Sequence, residues 1–208
     1  MGNLNKKFGN IDIESINKYL TYLWCPGDGT PVENIKKLEP GQMITIDKNF
    51  NFHKSKWNKY IPSSRKIVEN FSKKDLINKT EKILKEAVQR QLISDVPVGT
   101  FLSGGVDSSL ITLFAKEKIN NLISFSIEVK GSEDRGFVGD LPYANRVSNL
   151  LKVPLEIVKV QPESIIDSIE NMVWQLDEPL ADPAALNVFY ISKLARDYGI
   201  KVILSGAG

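Results

Sequence analysis

From Val98 onward, short apolar runs alternate with amphipathic stretches, and this alternation constrains the fold more than any other feature of the sequence. Val98–Leu102, Ile123–Ile127, Pro154–Val160 and Lys201–Leu204 read as strands. Asp107–Lys118, Pro142–Leu151, Pro162–Gln175 and Ala184–Tyr198 read as helices. Short apolar strands separated by helices predict an α/β fold, a parallel sheet with helices on both faces. In such sheets ligands bind beyond the carboxyl ends of the strands, near the point where strand order reverses. Two loops with suggestive chemistry leave those ends, Ser103–Ser109 and Ser205–Gly208.

The upstream part differs. A helix is expected from Ile13 to Trp24, with Ile16, Tyr19, Leu20 and Leu23 on one stripe, stopped by Pro26-Gly27-Asp28-Gly29. Met43–Asp47 and Phe50–His53, separated by Lys48-Asn49, predict a two-stranded hairpin. One helix and one hairpin bury too little to be stable alone, so residues 1–54 read as part of something larger. The polar, basic, proline-containing stretch 55–71 reads as a linker. Ser72 and Asp75 then have capping-box spacing, and Leu76, Ile77, Ile83, Leu84, Ala87, Val88 and Leu92 recur at helical spacing.

Composition removes several function classes. The 27 basic and 25 acidic residues leave a net charge of +2, too small to point to a nucleic-acid or membrane partner. No apolar run approaches the roughly 20 residues of a membrane helix. Cys25 is the sole cysteine, which excludes an internal disulfide and a cysteine zinc cluster. With a start that lacks the apolar stretch of a secretory signal, a cytoplasmic location is the expectation. His53 is the only histidine and reads as a structural or surface residue, while Trp174 and Phe189 fall on helical stripes and read as core.

The loop Ser103-Gly104-Gly105-Val106-Asp107-Ser108-Ser109 carries the chemistry. Adjacent glycines let the chain turn tightly and approach a ligand closely. The helix that follows presents unpaired N–H groups and the positive end of its dipole, and three serines add hydroxyls, so the loop suits phosphate oxygens. Asp107 would repel phosphates unless Mg²⁺ bridged the two, which points to a metal-bound pyrophosphate. A Walker A loop needs a lysine that is absent here, and a Rossmann fingerprint needs differently spaced glycines. The plain alternative is a Gly-Gly turn with Asp107 as an ordinary helix cap.

Ser-Gly-Gly-x-Asp-Ser-Ser after an apolar strand resembles the pyrophosphate loop of N-type ATP pyrophosphatases. Within that superfamily, Ser124–Ile127, Leu141–Ala144, Trp174–Asp182 and Ile203–Gly208 resemble segments of glutamine-dependent asparagine synthetases. Tyr19-Leu20, Pro26-Gly27 and Ile35–Gly41 resemble the end of that family's glutaminase domain. The resemblance implies an adenine nucleotide alpha hydrolase-like fold over 72–208, a glutaminase remnant over 1–54, and ATP with Mg²⁺ as cofactors. It implies that a carboxylate, aspartate in the commonest case, attacks the α-phosphate of ATP, and that ammonia, supplied from glutamine, then releases AMP. Ser103, Gly104, Gly105, Ser108 and Ser109 are implied to bind pyrophosphate, with Ser103 and Asp107 serving catalysis and Asp107 holding the metal. Phe101, Ile127, Ser205 and Gly206 align with positions that contact adenosine. The resemblance leaves room for a homodimer of the parent protein.

Three departures qualify that picture. The family's glutaminase uses an N-terminal cysteine, whereas here Met1 is followed by Gly2, and Cys25 reads as a packed thiol. The chain reads as a fragment, ending before the family's next acidic pair, and is expected to be inactive alone. Ala207 stands where the family commonly has Glu or Asp, which leaves the acceptor carboxylate open. A related enzyme acting on another carboxylate, or an ATP-binding fragment without turnover, are the alternatives. The acidic cluster Asp177, Glu178 and Asp182 could face a substrate pocket or cap a solvated loop.

Overall fold

Residues 9–57, 71–129 and 139–206 are described by the structure, a computed structural model. The chain divides into two units: Met1–Ile67 with Val173–Pro183, and Val68–Met172 with Ala184–Gly208.

In the first unit, α1 (Ile13–Tyr22) starts where the Asp12 carboxylate accepts the Ser15 amide at 3.2 Å. It stops at Leu23, whose left-handed φ of 66° turns the chain two residues earlier than the periodicity suggested. The apolar stripe expected of this helix is not a buried face, since Leu20 is 69% exposed and the inward residue is Ser15. Strands β1 (Gln42–Ile46) and β2 (Phe52–Lys56) form the expected antiparallel hairpin, with Ile44 opposite Lys54. Backbone pairing rather than burial carries β2 on to Lys56, because all five of its residues are exposed. The turn between them is organised by Asp47, whose carboxylate accepts the Asn49 amide at 2.7 Å and the Asn51 amide at 3.0 Å. Cys25 is buried and donates its thiol to the Gly29 carbonyl at 3.4 Å, as a packed residue would. Segment Val173–Pro183 is fastened within this unit. The Ala181 amide donates to the Leu23 carbonyl at 2.8 Å, and the Lys37 ammonium pairs with Glu178 at 2.9 Å.

In the second unit, α2 (Lys73–Gln91) opens with the capping box read from the sequence. The Ser72 hydroxyl accepts the Asp75 amide at 3.2 Å, and the Ser72 amide donates back to the Asp75 carboxylate at 3.3 Å. Strands β3 (Val98–Phe101), β4 (Ser124–Val129), β5 (Leu155–Val160) and β6 (Val202–Leu204) form one parallel sheet in the order β5-β4-β3-β6. Helices α3 (Val106–Lys116), α4 (Leu141–Leu151), α5 (Pro162–Gln175) and α6 (Ala184–Asp197) connect them. This is the α/β architecture that the alternation predicts.

Strand alternation assigns the two faces. Thr100 lies level with Ser124 and Leu204 and turns toward α3, where Val88, Phe114, Ala115, Leu122 and Val153 form one cluster. Phe101 lies level with Phe125 and turns toward α6, where Phe125, Ile191, Ala195 and Ile200 form the other. Burying a side chain such as Phe125 stabilises by about 2–3 kcal/mol. One expectation fails here: Trp174, read as core, is 86% exposed. The apolar side of α5 (Ile166, Ile169, Val173) is itself exposed, and Met172 is the residue turned inward. Phe189 is half-buried, edge-on to Tyr190. Among the described residues no helix is long and apolar enough to cross a membrane.

From β3 the chain builds outward to β4 and β5, then returns to β6 on the opposite side of β3. Strand order therefore reverses between β3 and β6.

Candidate functional site

The loop after β3 sits at that reversal. The Leu102 amide donates to the Phe125 carbonyl at 2.9 Å and keeps the backbone extended one residue past the strand. Gly104 then turns with φ +83°, a conformation that side chains oppose. A Cβ at this position would lie 2.3 Å from the Tyr143 carbonyl carbon and 2.4 Å from the Ala144 nitrogen. The loop thus rests directly on the backbone of the first turn of α4. Gly105 caps α3 with extended backbone and no side-chain bond, so Asp107 is the second residue of the helix rather than its cap. From the other side, β6 closes in at Gly206, where a Cβ would stand 2.6 Å from the Ser108 nitrogen.

The serines brace the loop internally. The Gly105 amide donates to the Ser103 hydroxyl at 3.3 Å, and the Ser103 and Ser108 hydroxyls bond each other at 3.0 Å. The Gly105 carbonyl accepts from the Ser109 hydroxyl at 2.6 Å, the Ser109 amide at 3.0 Å and the Ser108 hydroxyl at 3.2 Å. The amides of Val106, Asp107 and Ser108 belong to the first turn and have no intrahelical acceptor, so they project from the positive end of α3.

Phe101, Ser103, Gly105, Asp107, Ser108, Ser205 and Gly206 line one cavity of about 310 Å³. The ends of β3 and β6 are therefore brought together at one place. Three residues singled out in the sequence lie outside that lining. Gly104 is wedged against α4, Ser109 is turned onto the Gly105 carbonyl, and Ile127 packs with the cluster on the α6 face. A second cavity of about 460 Å³ shares Phe101 and is lined further by Ser192, Arg196, Ile200, Lys201 and Ile203.

Asp107 is exposed and is the one carboxylate among the residues lining the 310 Å³ cavity. No group of three His, Cys, Asp or Glu able to hold a metal occurs among the described residues. That donor set does not make an all-protein cage. It fits Mg²⁺, which commonly takes one or two carboxylates and completes its shell with phosphates and water.

The remaining candidates fall elsewhere. Glu178 of the acidic cluster is paired with Lys37 in the first unit, and His53 stands 4.0 Å from Asp47 on the exposed hairpin. Ala207 and Gly208, and most of the linker 55–71, lie outside the described residues. Sequence reasoning passed over Thr100, Thr112 and Ser124, three fully buried hydroxyls beneath the loop. Their signal was a polar residue at an inward position, since Thr100 alternates in register with Val98 and Leu102.

The chain matches the family model described as asparagine synthase over residues 79–208. It is 34% identical over 200 residues to glutamine-hydrolyzing asparagine synthetase 1 of Bacillus subtilis, covering 95% of this chain and 30% of that protein. It is 32% identical over 188 residues to glutamine-hydrolyzing asparagine synthetase 2 of the same organism, covering 84% and 24%. Over 151 residues it is 28% identical to amidase chyE of Penicillium rubens, covering 66% and 22%. The chain thus spans less than a third of the length of these relatives.

Proposed function

The chain belongs to the asparagine synthase family, and from that premise we propose that its second unit binds ATP–Mg²⁺ and serves the adenylylation of a carboxylate. The observation that carries this reading is the cavity of about 310 Å³ where the β3 loop and the end of β6 meet at the reversal of strand order. In this reading Ser103, Gly105, Ser108 and the first-turn amides of α3 hold the leaving pyrophosphate, and Gly104 and Ser109 shape the loop. Phe101, Ser205 and Gly206 contact the adenosine, and Ile127, which lies outside the cavity lining, is the fourth adenosine position of this reading. Residues 1–54 are a glutaminase-domain remnant, 55–71 a linker and 72–208 the first part of the synthetase domain.

The chemistry is an in-line displacement. An oxygen of the acceptor carboxylate bonds to the α-phosphorus, the bond from that phosphorus to the bridging oxygen breaks, and pyrophosphate leaves. Charge builds on the bridging oxygen, and the loop's amides and hydroxyls are fixed donors aimed where it develops. Asp107 would hold Mg²⁺, which would supply neutralisation of phosphate charge. Ammonia then attacks the activated carbonyl and AMP departs. Aspartate is the acceptor and asparagine the product in this reading, with glutamine as the source of ammonia and the cytoplasm as the place of action. Ala207 favours a second reading, in which the acceptor is a different carboxylate.

Calorimetry on this chain with Mg·ATP and Mg·pyrophosphate tests the site. Both should bind, and Asp107→Ala should weaken Mg·ATP by about tenfold or more while leaving affinity in EDTA little changed. Equal Mg·ATP affinity in both proteins would remove Asp107 as the metal ligand. Absence of ATP binding would remove the site. Release of AMP by the full-length parent protein with ammonia and aspartate, set against other carboxylates, decides the acceptor.

A further inference from the structure

We propose that Thr100, Thr112 and Ser124 are positioning residues for the loop Ser103–Ser109, forming a chain of buried hydroxyl bonds that fixes the first turn of α3 against the sheet. The inference rests on the reading of the cavity as a pyrophosphate site.

The three side chains come from β3, α3 and β4, and each is fully buried. The Thr112 hydroxyl lies 2.8 Å from the Ser108 carbonyl, which has no hydrogen to give, so Thr112 is the donor there. The same hydroxyl is directed at the Thr100 hydroxyl at 3.1 Å, so Thr112 shares its proton between the Ser108 carbonyl and Thr100. The Thr100 and Ser124 hydroxyls bond each other at 2.8 Å. The three hydroxyls thus join β3 and β4 to the Ser108 carbonyl through Thr112.

Ser108 is itself a cavity residue, and its carbonyl belongs to the turn whose amides project toward the ligand. Three apolar residues of the same shape would fill this space at nearly equal stability, because a buried hydrogen bond adds little net once its desolvation is counted. Hydroxyls add direction. They tie one carbonyl of the helix end to two strands and hold the amides in a fixed orientation, the preorganisation that electrostatic stabilisation requires. Removing the Thr112 hydroxyl takes the side-chain donor from the Ser108 carbonyl and releases the turn from the sheet.

Thr112→Val and Thr112→Ser separate this role from packing. Two quantities are read on the full chain: Mg·pyrophosphate affinity by calorimetry, and hydrogen exchange at the Ser109 amide, which closes the first turn on Gly105. Thr112→Val should bind pyrophosphate about tenfold more weakly and exchange about tenfold faster, with Thr112→Ser within about twofold of the native chain in both. Native-level affinity in Thr112→Val overturns the proposal, as does a Thr112→Ser variant no better than Thr112→Val. A native chain that binds no pyrophosphate sinks the proposed function instead. Exchange then still decides the positioning role: faster in Val and restored in Ser sustains it, unchanged exchange overturns it. Should Thr112→Val not fold, Ser124→Ala removes only the far end of the chain. It should weaken pyrophosphate by about threefold, and native-level affinity in that variant overturns the proposal.

Discussion

Phe125 in the second unit is fully buried, whereas Phe52 in the first, also on a strand, is 66% exposed, and the contrast runs through both units. The second unit packs two apolar clusters against the two faces of its sheet. In the first, Cys25 is the only buried apolar side chain among the described residues, and Met43, Ile46 and Trp57 all stand exposed. Its order comes instead from polar bonds: the Asp12 cap, the Asp47 turn and the pair of Lys37 with Glu178. Alternation of apolar residues therefore marks strands in both units, but marks a buried core in only one. A strand pattern reports backbone geometry, while burial needs a second layer.

The sharpest test of this difference removes matched rings. Phe125→Ala should cost about 3–5 kcal/mol in urea unfolding, and Phe52→Ala about 0.5 kcal/mol or less. Comparable losses would break the comparison. All three tryptophans, Trp24, Trp57 and Trp174, belong to the first unit, so fluorescence follows that unit while amide exchange in the strands follows the other.

A smaller effect is expected at Gly104, where backbone rather than core is at stake. Gly104→Ala meets both a positive φ and the α4 backbone, and should cost about 2–4 kcal/mol of stability with loss of ATP binding. A variant that unfolds and binds as the native chain does would show that the loop can lift from α4.

The smallest effect belongs to the first unit. The Asn51 side chain, then the Asn51 and Asn49 amides, hold the Asp47 carboxyl below its ordinary value of 3.8. A depressed carboxyl stabilises the folded turn at pH values above that ordinary value. The contribution is lost as pH falls through the folded value. Asn51→Ala should move the Asp47 titration back up toward 3.8, read by NMR. An unmoved titration would assign the shift to the backbone amides alone.

The sheet, its helices and the loop were legible because each rests on local rules. Apolar runs set β3 to β6, the Ser72–Asp75 box sets the start of α2, and Gly104-Gly105 sets the turn. What stayed hidden depends on distant partners. Trp174 lies on an apolar stripe, and periodicity names a helix face without saying whether anything covers it. The contact of Gly206 with Ser108 joins two strand ends far apart in sequence. Thr100, Thr112 and Ser124 read singly as ordinary residues, because a hydroxyl chain exists only once three elements meet.

Segment Val173–Pro183 has a consequence for how the molecule is made. Met1–Ile67 leaves the ribosome ahead of Val68–Met172, yet Lys37 awaits Glu178 and the Leu23 carbonyl awaits Ala181 until all of Val68–Met172 has been synthesised. At ordinary elongation rates that interval is about 5–20 s. Ala184–Gly208 follows directly and brings β6 beside β3. The nascent chain therefore fastens its first unit and brings β6 to the wall of the 310 Å³ cavity within one short stretch of translation.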